Sequence, residues 1–239
     1  MKLDMYTKHA KEYAKAVEDN IYNANFERPS TLALVGDVSG KAVLDLGCGS
    51  GEYANYFLTE GAASVTCVDV SQDMIDIVQS RFKNKVCAYS QDLSVGLPYE
   101  ENDSADVVVC PLVVHYLKDL GAFFKEVTRV LKPGGVFVFS THHPMVDFKS
   151  SPSGDYFRCE LIEEEWNTLS QPVEVSFYRR SLTGTFNAIT QSGLVVAQFS
   201  EGEVTEQVKA LSEERYQRLK TRPQFMFIKC QHRQPLAQS

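Results

Sequence analysis

"VLDLGCGSGEY", from Val43 to Tyr53, reads as a strand that closes in a glycine-rich turn and then opens a helix. What surrounds it decides the fold. AVLDLG (42–47) is a short buried strand, EYANYFLTEG (52–61) a helix stopped by Gly61, and SVTCVDV (64–70) the next strand. SQDMIDIVQSRF (71–82) is a helix capped by Ser71, with Ile75 and Val78 on its apolar face. KVCAYSQD (85–92) and ADVVVC (105–110) are the third and fourth strands, the latter apolar almost throughout, as a parallel strand covered on both faces must be. LGAFFKEVTRVLKPGG (120–135) is a helix ended by Pro133 and two glycines, and GVFVFSTHH (135–143) is the fifth strand. Strands alternating with helices in this way build a parallel sheet with helices on both faces, an α/β doubly wound fold.

After residue 143 the alternation breaks. The stretch 144–166 mixes turn residues with aromatics and has no clear period, which marks it as a lid or binding loop; a mobile cover over residues 144–170 is expected. VEVSFYRR (173–180), LVVAQFS (194–200) and QFMFIKCQ (224–231) read as strands. SLTGTFNAITQSG (181–193) and TEQVKALSEERYQRLK (205–220) read as helices, and QPLAQS at the end as a frayed tail.

Composition sets the outer bounds. The chain has 239 residues, 44% hydrophobic and 23% charged, enough for one sizeable core. No apolar run approaches a membrane span, and the charged N-terminus lacks the apolar stretch of a signal peptide, so a cytoplasmic protein is expected. Six scattered cysteines without a C-x-x-C pair indicate neither a zinc site nor a disulfide framework, and no metal is expected. A net charge of -7 without a basic stripe argues against nucleic acid as a partner.

Three ligands compete for the glycine turn. A triphosphate would need G-x-x-x-x-G-K-[ST]; here the glycines stand too close and no lysine follows. A dinucleotide would want G-x-G-x-x-G, but Gly47, Gly49 and Gly51 give G-x-G-x-G, and Glu52 takes the place of the third glycine, poorly set beside a pyrophosphate. The acids discriminate further. Asp45 precedes the turn, Asp69 ends the second strand about 20 residues beyond it, where a ribose-binding acid belongs, and Asp92 ends the third strand. Three carboxylates in one crevice repel phosphate and suit a cationic nucleoside. S-adenosylmethionine carries a sulfonium and an ammonium against one carboxylate and has no phosphate.

These residues, with QDL at 91–93, CPLVVHYL at 110–117 and EVTRVLKPGGVFVFSTHHP at 126–144, resemble the class I S-adenosylmethionine-dependent methyltransferases of the small-molecule type 11 family. The match is good over residues 25–143. The resemblance implies a Rossmann-like sheet of seven strands, mostly parallel with the last antiparallel, and S-adenosyl-L-methionine as cofactor. It implies that Asp45 meets the methionine ammonium, that Gly47 and Gly49, with Gly51, form the backbone cradle, and that Asp69 takes the ribose hydroxyls. Met74 would pack near the adenine, Asp92 and Leu93 would read its amino edge, and Cys110, where the fourth strand gives out, would offer its carbonyl near the ammonium. The whole chain, 1–239, is expected to be one methyltransferase domain: an N-terminal helical segment (1–40), a cofactor half (41–143), a substrate cap (144–180) and C-terminal helices and strands (181–239).

Three histidines border the crevice. For His115 and His142 a structural part is the simpler reading, whereas His143, at the end of the fifth strand, is a candidate catalytic base toward an acceptor. Tyr6 and Tyr13 either close over the cofactor or pack on the outside. Phe148, Tyr156, Phe157, Trp166 and Tyr178 suggest an aromatic-walled acceptor site. The expected function is methyl transfer to a small-molecule acceptor by in-line displacement. The rivals are a non-catalytic S-adenosylmethionine-binding regulatory or assembly subunit and a nicotinamide-dependent oxidoreductase.

Overall fold

The computed structural model describes residues 6–166, 169 and 172–233. The chain begins with helix α1 (Ala10–Asp19), a π-turn (Asn23–Glu27) and α2 (Arg28–Val35). It continues through β1 (Ala42–Leu46), α3 (Glu52–Thr59), β2 (Ser64–Asp69), α4 (Gln72–Phe82), β3 (Cys87–Ser90), β4 (Ala105–Pro111), α5 (Leu120–Val130) and β5 (Leu131–His142). Then come α6 (Pro144–Asp147), β6 (Glu160–Trp166), β7 (Val173–Arg179), α7 (Leu182–Gln191), β8 (Leu194–Ser200), α8 (Glu206–Leu211), α9 (Glu213–Thr221) and β9 (Phe225–His232).

Seven strands form one sheet in the order β3-β2-β1-β4-β5-β9-β8. The first five run parallel; β9, the last in the chain, runs antiparallel to both its neighbours. The strand order reverses between β1 and β4, and a doubly wound sheet binds its ligand at the carboxyl ends beside that reversal. Apolar side chains on the two faces of the sheet feed two separate cores. Phe26, Leu34, Phe57, Ile75 and Val78 pack on one, and Phe123, Phe124, Phe137, Phe139 and Ile189 on the other. The first core also takes Val208 and Leu219 from α8 and α9, so the N-terminal and C-terminal segments share it.

Three readings of the sequence change. The helix over 120–135 ends at Val130, and β5 begins at Leu131 rather than at Gly135. Leu131 pairs with Ala105, and the register then slips so that Val107 faces Val136. Pro133, which has no N–H to give a ladder, sits in that irregularity. VEVSFYRR lies outside the large sheet: β7 forms a separate antiparallel hairpin with β6, within the stretch 144–166 that showed no period. Its alternation is hidden because an inward position is occupied by Glu160, which pairs with the fully buried Arg179 at 2.5 Å. Arg179 also donates to the carbonyls of Asp155, Tyr156 and Arg158, pinning the loop ahead of β6. The helix over 205–220 is two helices, broken at Ser212, whose extended backbone (φ -164°, ψ 109°) lets its hydroxyl cap α9. The frayed tail QPLAQS, and residues 167, 168 and 170 of the expected mobile cover, lie outside the described residues.

Candidate functional site

The glycine turn folds as it does because left-handed backbone is needed at two tightly packed points. Gly47 has φ 76°, and a Cβ there would run into Val113. Gly51 has φ 84°, and a Cβ would stand 2.6 Å from Phe82 Cε2. Gly51→Ala is therefore expected to lower stability by about 1–3 kcal/mol, through the strained φ and the clash with α4. Urea unfolding measures this; an unchanged midpoint would show that the turn relaxes freely.

The turn forms one wall of a cavity of about 400 Å³. Asp69 stands at the end of β2 against it. Its Oδ2 accepts the Gly49 N–H at 2.9 Å and its Oδ1 accepts the Ser71 N–H at 2.9 Å. Burial raises the Asp69 carboxyl above its ordinary range, and these backbone donors pull in the opposite direction. Asp92, exposed after β3, accepts the Ser94 N–H at 2.8 Å and lines the cavity together with Leu93. Asp45 is fully buried just before the turn, and among the described residues neither carboxylate oxygen has a hydrogen-bond partner. Burial, with Asp69 and Glu27 nearby, pushes its carboxyl up to about 8.

Gly47, Gly49, Asp69, Asp92 and Leu93 thus meet on one cavity. Asp45, Gly51, Met74 and Cys110 do not line it. Gly51 caps α3 in left-handed backbone, Met74 is fully buried in α4, and Cys110 lies inside β4, paired with Phe139 of β5. His143 does not line the cavity either. Its Nδ1 accepts the Met145 N–H, capping α6, and its Nε2 faces Glu201 at 3.0 Å. Burial lowers the pKa of the ring. His115 and His142 stack at 3.9 Å, His115 bonded to Thr141 and His142 facing Asp147, and both pack against Phe177 of β7.

The N-terminal segment also lines the cavity, one of the two readings the sequence left open, and the Ser71 hydroxyl donates to the Tyr6 carbonyl at 2.6 Å. Tyr6 and Tyr13 line the cavity with Tyr116 and Tyr178. Tyr6 and Tyr116 share a hydrogen bond at 2.6 Å, and Tyr6 packs edge-on against Tyr13 at 4.9 Å. Burial raises the phenols of Tyr6, Tyr13 and Tyr116, so they stay neutral at physiological pH. Of the five cap aromatics, Tyr178 alone lines this cavity; Phe157 is exposed beside a second hollow near α5 and α7, and Trp166 packs on His142 and Phe177.

Of the charged residues on the cavity, Glu27 escaped the sequence reading, whereas Arg28 with Pro29 had two readings, fixing the N-terminal segment against the pocket or only starting a helix. Glu27 is buried, and its carboxylate accepts hydrogen bonds from the hydroxyls of Thr31 (2.7 Å), Ser140 (2.6 Å) and Tyr53 (2.9 Å). This ties the N-terminal segment to the end of β5. Arg28 follows it. The available signal was Glu27-Arg28-Pro29 set ahead of an apolar helix. Glu52, whose placement argued against a pyrophosphate, is held by Arg81 of α4.

Residues 44–139 match the sequence profile of the family described as "Methyltransferase domain". Over 138 residues the chain is 32% identical to the demethylmenaquinone methyltransferase of Lactococcus lactis, covering 55% of this chain and 54% of that one, about half of the relative's length. A crystal structure of an S-adenosylmethionine dependent methyltransferase from Mesorhizobium loti superposes with a TM-score of 0.70 at 27% identity, over 87% of this chain and 97% of that one. A structure from Listeria monocytogenes superposes with a TM-score of 0.75 at 24% identity, over 87% and 97%, and speaks to the fold. Residues 44–139 thus carry the sequence pattern of that methyltransferase domain, on a fold shared with S-adenosylmethionine-dependent methyltransferases. The donor set fits the cofactor of such proteins, S-adenosyl-L-methionine: the buried carboxylate of Asp45 suits an ammonium, and Asp69, an acceptor held by backbone N–H groups, suits a diol.

Proposed function

We propose that the protein methylates a small-molecule acceptor by in-line displacement, within a cavity that holds cofactor and acceptor end to end. The observation that carries this reading is the cavity's mixed lining. The glycine turn with Asp69 and Asp92 contributes one part of it, and tyrosines from the N-terminal segment, β7 and the loop after β4 contribute another. When bound, the cofactor supplies the activated methyl group. In our reading Asp69 holds the ribose hydroxyls, Asp92 and Leu93 frame the adenine edge, and Gly47 and Gly49 let the backbone approach the methionine portion. Asp45 neutralises the ammonium, directly or through a water. Gly51, Met74 and Cys110 back this wall from behind.

The tyrosine wall supports an acceptor with an apolar or aromatic body. Its hydroxyls can hydrogen-bond the acceptor's polar end and fix it in line, which is the main lever for a displacement at carbon. The demethylmenaquinone methyltransferase relative is in keeping with a small acceptor. The match to the methyltransferase domain over residues 44–139 favours an enzyme over a non-catalytic binding subunit. Residues 1–239 are read as parts of one domain, in keeping with the core shared between α2, the sheet, α8 and α9. The test is incubation with methyl-labelled cofactor and fractionated cell extract. Label is expected in the small-molecule fraction; label entering protein or RNA instead would overturn the acceptor class.

His143 serves in this reading as the N-cap of α6. Asn is an equally good cap, so His143→Asn is expected to keep turnover at saturating cofactor within about twofold, whereas His143→Ala costs roughly 1 kcal/mol of stability. If both variants lose turnover by about 100-fold or more, within the range typical of a lost general base, and the acid limb of the pH profile disappears, the imidazole is the base after all.

A further inference from the structure

We infer that the methyl acceptor is an elongated amphipathic acid. Its reacting end lies in the main cavity, its acid group pairs with Lys118, and its apolar remainder lies in the second hollow beside α5 and α7. The inference names an acceptor class for the function proposed above and rests on that reading. The main cavity measures about 400 Å³. That is toward the small end of the roughly 300–1,000 Å³ of sites that hold a single ligand. With the cofactor in place it has room for the reacting end of an acceptor, not for all of a large one. The second hollow, of about 520 Å³, adjoins it, and Lys118 lines both spaces.

The end of β7 links the same two spaces. Tyr178 lines the main cavity, and Arg180, two residues on, lines the hollow. Side chains two apart in an extended chain share a face, and here the Arg180 guanidinium lies over the Tyr178 ring at 5.3 Å. Arg180 also donates to the Leu117 carbonyl and, at 2.9 Å, to the Lys118 carbonyl. It thereby fixes the backbone from which Lys118 projects.

The chemistry of the hollow follows from which of its side chains are already engaged. The Asp119 carboxylate accepts the Ala122 N–H at 3.0 Å and caps α5, whose N-terminus offsets its charge. The Ser181 hydroxyl accepts the Gly184 N–H at 3.1 Å and caps α7. Arg180 is spent on backbone carbonyls. Lys118 is exposed, and no described carboxylate pairs with it, so the charge left for a ligand is positive. Leu120, Ala188 and Phe157 supply apolar lining. Phe157 is 74% exposed, yet its backbone is fixed: its N–H donates to Asp155 Oδ1 at 2.9 Å, and Arg179 holds the carbonyls of Tyr156 and Arg158 on either side. An aromatic ring held ready beside a hollow offers apolar contact without the cost of ordering a loop.

The experiment saturates the protein with S-adenosylhomocysteine and then titrates three probes below their micellar concentrations: decanoate, decyltrimethylammonium and butyrate. Calorimetry should show decanoate binding about 5- to 50-fold tighter than the other two, since one lacks the matching charge and the other the apolar length. Lys118→Glu should weaken decanoate and strengthen decyltrimethylammonium, cutting the preference about 10-fold. Phe157→Ala should weaken decanoate about 3- to 10-fold and leave butyrate, S-adenosylhomocysteine and the thermal melt unchanged, because the ring is exposed. In amide NMR spectra Gly121 and Gly184, which line the hollow and not the main cavity, should shift with decanoate. The labelled product formed from cell extract should be retained on an anion exchanger. Equal binding of decanoate and decyltrimethylammonium, a Lys118→Glu that keeps the preference, unmoved Gly121 and Gly184 amides, or a labelled small molecule that passes the exchanger would overturn the inference while leaving the methyltransferase reading standing. Failure of S-adenosylhomocysteine to bind would instead overturn the placement of the cofactor, and this inference with it.

Discussion

Asp69→Ala is expected to weaken S-adenosylmethionine and S-adenosylhomocysteine about 10- to 100-fold, the equivalent of losing charge-assisted hydrogen bonds worth roughly 1.5–3 kcal/mol. Two losses combine. The diol loses its acceptor, and the turn loses the carboxylate that holds the Gly49 and Ser71 N–H groups. Asp69→Asn separates them. An amide oxygen can still accept one of these N–H groups or one hydroxyl, but its NH₂ end faces a donor, so an intermediate loss is expected. The folded state should tolerate either change, because removing a carboxyl that burial disfavours offsets the lost backbone contacts. Calorimetric titration reads the affinity and a thermal melt of the free protein reads the fold. Full affinity in Asp69→Ala would sink the ribose assignment.

The part of this site written on the strands was legible in the sequence because it obeys local rules. A turn that needs left-handed backbone shows as glycine, and strand-end acids show as Asp69 and Asp92 closing apolar runs. The parallel half of the sheet followed from alternating periods. What the sequence hid was tertiary in origin. Glu160 faces inward only because Arg179 meets it, so a period of two looked like no period. The Pro133-Gly134-Gly135 run looked like a stop, yet an irregularity in register lets β5 carry it. The N-terminal part of the cavity lining was least visible. Tyr6, Tyr13, Glu27 and Arg28 reach it from a segment whose π-turn no helical period reveals. His143 was selected by its strand-end position, but both ring nitrogens are engaged away from the cavity.

Asp45 should make cofactor affinity depend on pH, and the sign follows from its burial. An unfolded aspartate titrates near 3.9, and burial beside Asp69 and Glu27 pushes Asp45 up to about 8 in the folded protein. Between those values the folded state keeps a proton that the unfolded state has released. The stability of the free protein attributable to this group is therefore greatest below about pH 4, and it declines as pH rises toward 8, by up to about 1.4 kcal/mol per unit. Binding has the opposite slope. A ligand ammonium prefers the carboxylate form, so the cofactor must displace the proton below pH 8. Affinity should rise by as much as tenfold per unit from about pH 6 and level off near 8, where an α-amino group with an ordinary value of about 7.7–8.0 begins to lose its own charge. At pH 7 close to one proton should be released per ligand bound, read by calorimetry in buffers of contrasting ionisation enthalpy. Asp45→Asn should release none, bind at pH 8 more weakly than the wild type, and lose the slope. 5′-Methylthioadenosine, which has no ammonium, should show no slope even in the wild type. If it shows the same slope as S-adenosylhomocysteine, or if Asp45→Asn keeps the slope, the proton belongs to another group and Asp45 does not meet the ammonium.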